Sequence, residues 1–158
     1  MKEIKLTQGK VALVDDCDYE DLIKYKWYAV KYKSSSTFYA VRHVNDRVLG
    51  MHRHILCVTD GKILVDHKNQ NGLDNRRENI RLATHSQNQV NSKRKGVINS
   101  KHRGVYLNKR TGRFQAQIRK NGYCHTIGTF ANQDEAAKAY NIKAIEMHGE
   151  FARLNLSV

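Results

Sequence analysis

The chain has 158 residues, room for one medium domain or two small ones. A formal net charge of +13, with 27% of residues charged, favours a polyanionic partner, nucleic acid first, over a surface that is merely solvated. Cys17, Cys57 and Cys124 are scattered, with no Cys-x-x-Cys pair, which argues against a zinc ribbon and a secreted disulfide scaffold; reduced, partly buried thiols are expected.

Met1-Lys2-Glu3-Ile4-Lys5 begins no apolar signal region, and no run approaches the ~20 apolar residues of a spanning helix, so a soluble intracellular protein is expected. Residues 1–60 read as a mixed α/β region. Val11–Val14, Trp27–Val30 and Phe38–Val41 are rich in strand formers, and Ser34-Ser35-Ser36-Thr37 separates the last two as a turn. Asp18 opens a short helix over Tyr19–Tyr25, and Met51–Leu56 reads as another. His52 and Arg53 on that second helix either contact DNA phosphates or form a solvated face.

Residues 61–92 read as strand, loop, strand and helix. Lys62–Val65 is an apolar strand ending at Asp66-His67, and Asn69–Asn75 is a loop of turn formers. Ile80–Ala83 returns as a second strand. Thr84 stands three residues before Gln87, a capping-box spacing that starts a helix and puts Asn88 in about its first turn. On this reading Asp66, His67 and Asn88 converge. Hydrolysing a phosphodiester needs an activated water and stabilisation of the charge that builds on phosphate and leaving oxygen. An imidazole titrating near neutrality serves as general base, and an anionic oxygen from Asp66 with a neutral one from Asn88 suits Mg²⁺ or Mn²⁺.

Lys93, Arg94 and Lys95 precede Gly96–Ser100, and residues 96–101 read as a basic linker that either follows phosphates or is a solvated hinge. Between Asn79 and Gln133 there is no Asp or Glu. From residue 102 the pattern becomes a three-stranded sheet and a helix. Arg113, Gln115, Gln117 and Arg119 alternate with Phe114, Ala116 and Ile118, giving a polar and a core face. Lys109–Gly112 and Lys120-Asn121-Gly122 supply turns. Asn132 with Glu135 opens a helix whose Ala137, Tyr140, Ala144 and Met147 cover the Phe114 face, and Gly149 ends it. The polar face is suited to a DNA groove: arginine bridges guanine, glutamine addresses adenine, and Lys109 and Lys120 hold phosphates.

Val65–Asn88 resembles the HNH endonuclease family, in the subgroup with asparagine at the third position and no zinc ribbon, found in phage and intron-encoded homing endonucleases. The resemblance implies that His67 is the general base, that Asp66 and Asn88 hold the metal, that Asn79 braces the loop holding His67, and that Asn75 is a turn former. Trp27-Tyr28-Ala29 and Met51-His52-Arg53 are similar to what precedes this motif in phage members. Residues 102–156, through Arg103-Gly104-Val105, Phe114–Arg119, Ile127–Phe130, Glu135–Tyr140 and Ala152–Asn155, resemble the Apetala-two/ethylene-response-factor (ERF) DNA-binding domain. Tyr106 and Asn108 stand where plant members usually carry arginine and Phe114 where they carry Trp, so their recognition sequence does not transfer.

The expected fold class is therefore α+β, a ββα-metal (His-Me finger) nuclease module followed by a three-stranded antiparallel sheet packed on one helix. Its divisions are 1–60, 61–95 (the HNH motif), 96–101 and 102–158. The expected function is a metal-dependent DNA endonuclease of homing type, acting on double-stranded DNA in a bacterial or phage-infected cytoplasm. Arg103, Tyr106, Asn108, Lys109, Arg110, Arg113, Gln115, Gln117 and Arg119, with Lys93, Arg94 and Lys95, are expected to bind DNA. A monomer would most simply nick, whereas a double-strand break needs a homodimer or a second event. The alternative is a DNA-binding regulator on an inactive nuclease scaffold.

Overall fold

The computed structural model describes residues 1–33, 35–92 and 100–156. The chain is mixed α and β with small antiparallel sheets, and it divides into two compact units, Met1–His85 and Ser86–Val158. Among the described residues no helix is long and apolar enough to cross a membrane.

In the first unit, β1 (Lys2–Lys5) and β2 (Val11–Val14) form a hairpin through Gln8 and Gly9, both at positive φ. The sequence reading lacks β1 because only Ile4 of its four residues is buried. Helix α1 spans Asp16–Leu22, earlier than the expected Tyr19–Tyr25. Asp15 takes the N-cap position and Asp16 and Asp18 fill the first turn, where carboxylates suit the helix dipole. A second sheet has the order β3 (Tyr28–Val30), β4 (Tyr39–Val44), β5 (Arg47–Gly50). Strand β5 also lies outside the sequence expectation, because its hairpin turns on Asn45-Asp46, both left-handed without a glycine. Helix α2 follows directly at Met51–Ile55.

Strand β6 is Leu64–His67, not Lys62–Val65. The Asp60 carboxylate accepts from Lys62 N at 2.8 Å and its carbonyl from Ile63 N at 3.2 Å, so residues 60–63 are a turn. Its partner β7 (Ile80–Ala83) pairs Asp66 with Arg81 and His67 with Ile80, so Asp66 and His67 lie within the strand. The core gathers Ile4, Ala12, Val14, Leu22, Trp27, Ala40, Met51, Ile55 and Ile80. Burying the Val, Leu, Ile and Met side chains among them stabilises by about 1.5–3 kcal/mol each.

Helix α3 covers His85–Asn91, and from Ser86 it belongs to the second unit. That unit's sheet is ordered β10 (Tyr123–Phe130), β9 (Arg113–Lys120), β8 (Val105–Asn108). The β9–β10 turn puts Asn121 and Gly122 at φ 52° and 85°, the left-handed pair of a tight hairpin. Helix α4 (Gln133–His148) starts where the Asn132 side chain accepts from Glu135 N at 2.9 Å, and Gly149 at φ 53° ends it. Its Ala136, Ala137, Tyr140 and Ala144 are buried against Val105, Ala116 and Ile118, with Phe114, Ile127 and Phe130 packed around them. The three cysteines are free but exposed, correcting the expectation of partly buried thiols.

Candidate functional site

Successive residues of a strand face opposite ways, so β6 sends Asp66 and His67 to different neighbours. Asp66, 6% exposed, sits opposite Arg81 across the ladder, and its Oδ2 accepts from Arg81 Nε at 3.1 Å and Nη2 at 2.9 Å. His67 is equally buried, and its Nε2 lies 3.2 Å from Asn75 Oδ1. An amide oxygen only accepts, so Nε2 carries the proton and the lone pair of the neutral ring is on Nδ1. Burial holds the His67 pKa below the usual histidine value, against the opposing pull of Asn75 and of the Asp66 and Asp74 carboxylates. The ring is therefore kept in its proton-accepting form.

Asn75, expected as a turn former, is fully buried. Its placement comes from elsewhere in the fold: Asn75 N donates to Leu13 O at 2.8 Å, and Leu13 N to Leu73 O at 2.8 Å, stitching the loop to β2. Asn79 ties the loop across itself. Its Oδ1 accepts from Asn69 N at 3.0 Å, its Nδ2 donates to Asp74 O at 2.7 Å, and its carbonyl accepts from Lys68 N at 2.8 Å. Asp74 holds Arg76 through two 2.8 Å bonds, and that guanidinium keeps the Asp74 carboxyl below the ordinary carboxylate range.

His52 does not lie on the solvated face considered for it, and Arg53 is engaged by backbone carbonyls. Arg53 donates to Ile63 O and Asp60 O, both at 2.7 Å, steadying the turn before β6. His52 turns inward. Its ring centroid is 5.1 Å from that of His67, edge to face, and Tyr39 meets both rings at 6.1 and 5.9 Å. Burial, followed by the nearby charges of His67 and Arg53, pushes the His52 pKa down to about 3.

Among the described residues no group of three or more His, Cys, Asp or Glu side chains gathers as a metal site. The oxygen donors named from sequence are then Asp66, buried in the first unit, and Asn88, exposed on α3 in the second. Each is a donor type that hard divalent cations accept, and Arg81 already holds Asp66 Oδ2.

In the second unit the register sets Tyr106 beside Gln115 and Asn108 beside Arg113, with Thr126 and Cys124 flanking Gln117 and Arg119. Residues 105–130 contain no acid, so this face is polar and basic. Asn108 Oδ1 accepts from Arg110 N at 3.1 Å and Thr111 N at 3.3 Å, shaping the turn that exposes Lys109 and Arg110. Arg103 is spent internally: it donates to Val90 O at 2.7 Å, Ser92 O at 2.9 Å and the Tyr140 hydroxyl at 3.1 Å. It braces α3 against α4 and does not face outward with the sheet. Lys93, Arg94 and Lys95 lie outside the described residues.

Residues 50–90 match the family described as HNH endonuclease. The chain is also similar to an uncharacterized HNH endonuclease of Acanthamoeba polyphaga mimivirus, 34% identical over 157 residues, a match covering 94% of this chain and 76% of the relative.

Proposed function

The chain belongs to the HNH endonuclease family and is a nuclease; from that premise we propose that it is a metal-dependent endonuclease of double-stranded DNA, of homing type, with His67 as general base. The observation that carries this reading is the His67 ring, buried, held neutral, and fixed through Nε2 by Asn75.

His67 Nδ1 takes a proton from water as the water oxygen forms its bond to phosphorus; the opposite P–O bond breaks and the departing oxygen takes a proton from solvent. Asp66 and Asn88 would hold Mg²⁺ or Mn²⁺, which supplies charge stabilisation at the phosphate and leaving oxygen. Asn79 braces the loop behind His67, and Asn75 sets its tautomer. In this assignment β6, β7 and α3 are the ββα-metal unit.

The ERF-like sheet supplies the address. Tyr106, Arg113, Gln115, Gln117 and Arg119 meet the bases or the sugar-phosphate edge, while Lys109, Arg110 and the linker cations Lys93, Arg94 and Lys95 neutralise phosphates. Arg103 holds the module together.

Supercoiled plasmid incubated with protein in Mg²⁺, and again with EDTA, tests this directly. Nicked or linear product only with the metal is expected; intact plasmid in both would mean a DNA-binding protein on an inactive scaffold, and cutting in EDTA would remove the metal from the mechanism.

A further inference from the structure

His52 occupies a place that the rest of the fold is shaped to permit. Its ring lies over Gly50, where an added Cβ would stand 2.6 Å from His52 Cε1 and 3.0 Å from Nε2. The Gly50 backbone, at φ −76° and ψ 142°, is open to any residue, so the need for glycine comes from the ring and not from the chain conformation. Tyr39 is seated in the same way: a Cβ on Gly72 would overlap Phe38 O and stand 2.6 Å from the Tyr39 ring. Two glycines thus make room for the two rings that touch His67. His52 Nδ1 is buried with no hydrogen-bond partner among the described residues. A polar atom left so costs stability, and an apolar side chain would avoid that cost. His52 and Tyr39 also line a cavity of about 330 Å³ with Tyr32, Ser35 and Val48.

We propose that His52 is a positioning residue for the nuclease reaction, its ring, seated on Gly50 beside Tyr39, holding the His67 imidazole in one orientation. Asn75 holds His67 at its Nε2 edge, and a hydrogen bond at one edge is less restrictive of ring rotation than contact on the ring itself. The ring contacts from His52 and Tyr39, at 5.1 and 5.9 Å between centroids, restrict that rotation and keep Nδ1 aimed at one point. A catalytic group misplaced by about 1 Å can lose on the order of 10²-fold in rate, so a ring that never meets substrate can still govern turnover.

The inference rests on His67 as general base, and the experiment separates the two. Single-turnover cleavage of supercoiled plasmid and anisotropy binding of duplex DNA in EDTA are measured for His52→Ala, Gly50→Ala, the double variant and His67→Ala. Imidazole ¹⁵N spectra of His67 are recorded for the wild type and both single variants. The expected result is a rate loss on the order of 10²-fold in both single variants, with unchanged duplex affinity. The double variant should be no slower than His52→Ala, because Gly50 acts only through the ring. The spectra should change from a single Nε2-protonated tautomer to an averaged ring. Wild-type rate in His52→Ala, additive losses in the double variant, a defect in affinity alone, or an unaltered His67 spectrum would each overturn the proposal. Full activity in His67→Ala would instead overturn the general-base reading beneath it.

Discussion

Asn75→Ala isolates the hydrogen bond that fixes the catalytic tautomer. The substitution deprives His67 Nε2 of its partner at 3.2 Å. A neutral hydrogen bond contributes about 1 kcal/mol net, and a buried donor deprived of its partner costs about 1–3 kcal/mol. The same change removes Asn75 Nδ2, a buried donor without a partner among the described residues, and recovers a cost of similar size. Stability should therefore change by less than about 2 kcal/mol. Chemistry should suffer more. General-base catalysis is worth about 10²–10⁴-fold, which sets the ceiling reached by His67→Ala; Asn75→Ala should fall short of it, because the base remains but spends its time in unproductive orientations and tautomers. Single-turnover plasmid cleavage, thermal unfolding and duplex binding would be compared for Asn75→Ala, His67→Ala and the pair. The double variant should be no slower than His67→Ala. A folded Asn75→Ala protein cutting at wild-type rate, or losses that multiply in the double variant, would refute the role given to the Asn75–His67 bond.

Acid should destabilise the first unit through His52. Its folded pKa of about 3 lies below the ordinary histidine value of 6.5, so folding favours the neutral ring, and the stability this gives is complete above the unfolded pKa and lost as pH falls from there toward 3. His67 shifts in the same direction. Between about pH 7.5 and about pH 4.5 the His52 contribution falls by up to about 3 kcal/mol; urea midpoints should show this loss in the wild type and a smaller one in His52→Phe. Gly104→Ala should destabilise the second unit by about 3 kcal/mol or more, since Gly104 sits at φ +72° with no room for a Cβ beside the Tyr140 ring; an unchanged melting temperature would contradict the packing described. Arg113→Ala should weaken duplex binding and lower the salt slope by about one if it meets a phosphate, whereas Arg103→Ala should lower the melting temperature. Equal melting of the two variants would contradict the separation of their roles.

What was legible in the chain was what neighbouring residues decide. The alternation of Arg113–Arg119, the Asn121-Gly122 turn and the Asn132–Glu135 cap are local, and the structure carries each where the sequence puts it. Asp66-His67 stood out by type and order, but its surroundings did not. Asn75 reads as a turn former until the strand at Leu13, far back in the chain, pulls its backbone inward and aims its side chain at His67. Arg103 reads as one more cation in a basic stretch, and only the packing of α3 and α4 reveals that carbonyls consume it. The ring of His52 was ambiguous because its burial depends on Gly50 and Tyr39, which no periodicity links to it. Strands β1 and β5 leave hardly any pattern, because Ile4 is the one buried side chain of β1 and the one buried residue of β5 is Gly50, which has none.

Whether His67 activates water at a metal-held phosphate is decided by single-turnover cleavage of supercoiled plasmid in Mg²⁺ by the wild type and His67→Ala, with duplex affinity measured alongside. The expected result is cutting by the wild type, loss of cutting in the variant and nearly equal affinity. A variant that folds, binds and cuts as fast as the wild type would contradict it.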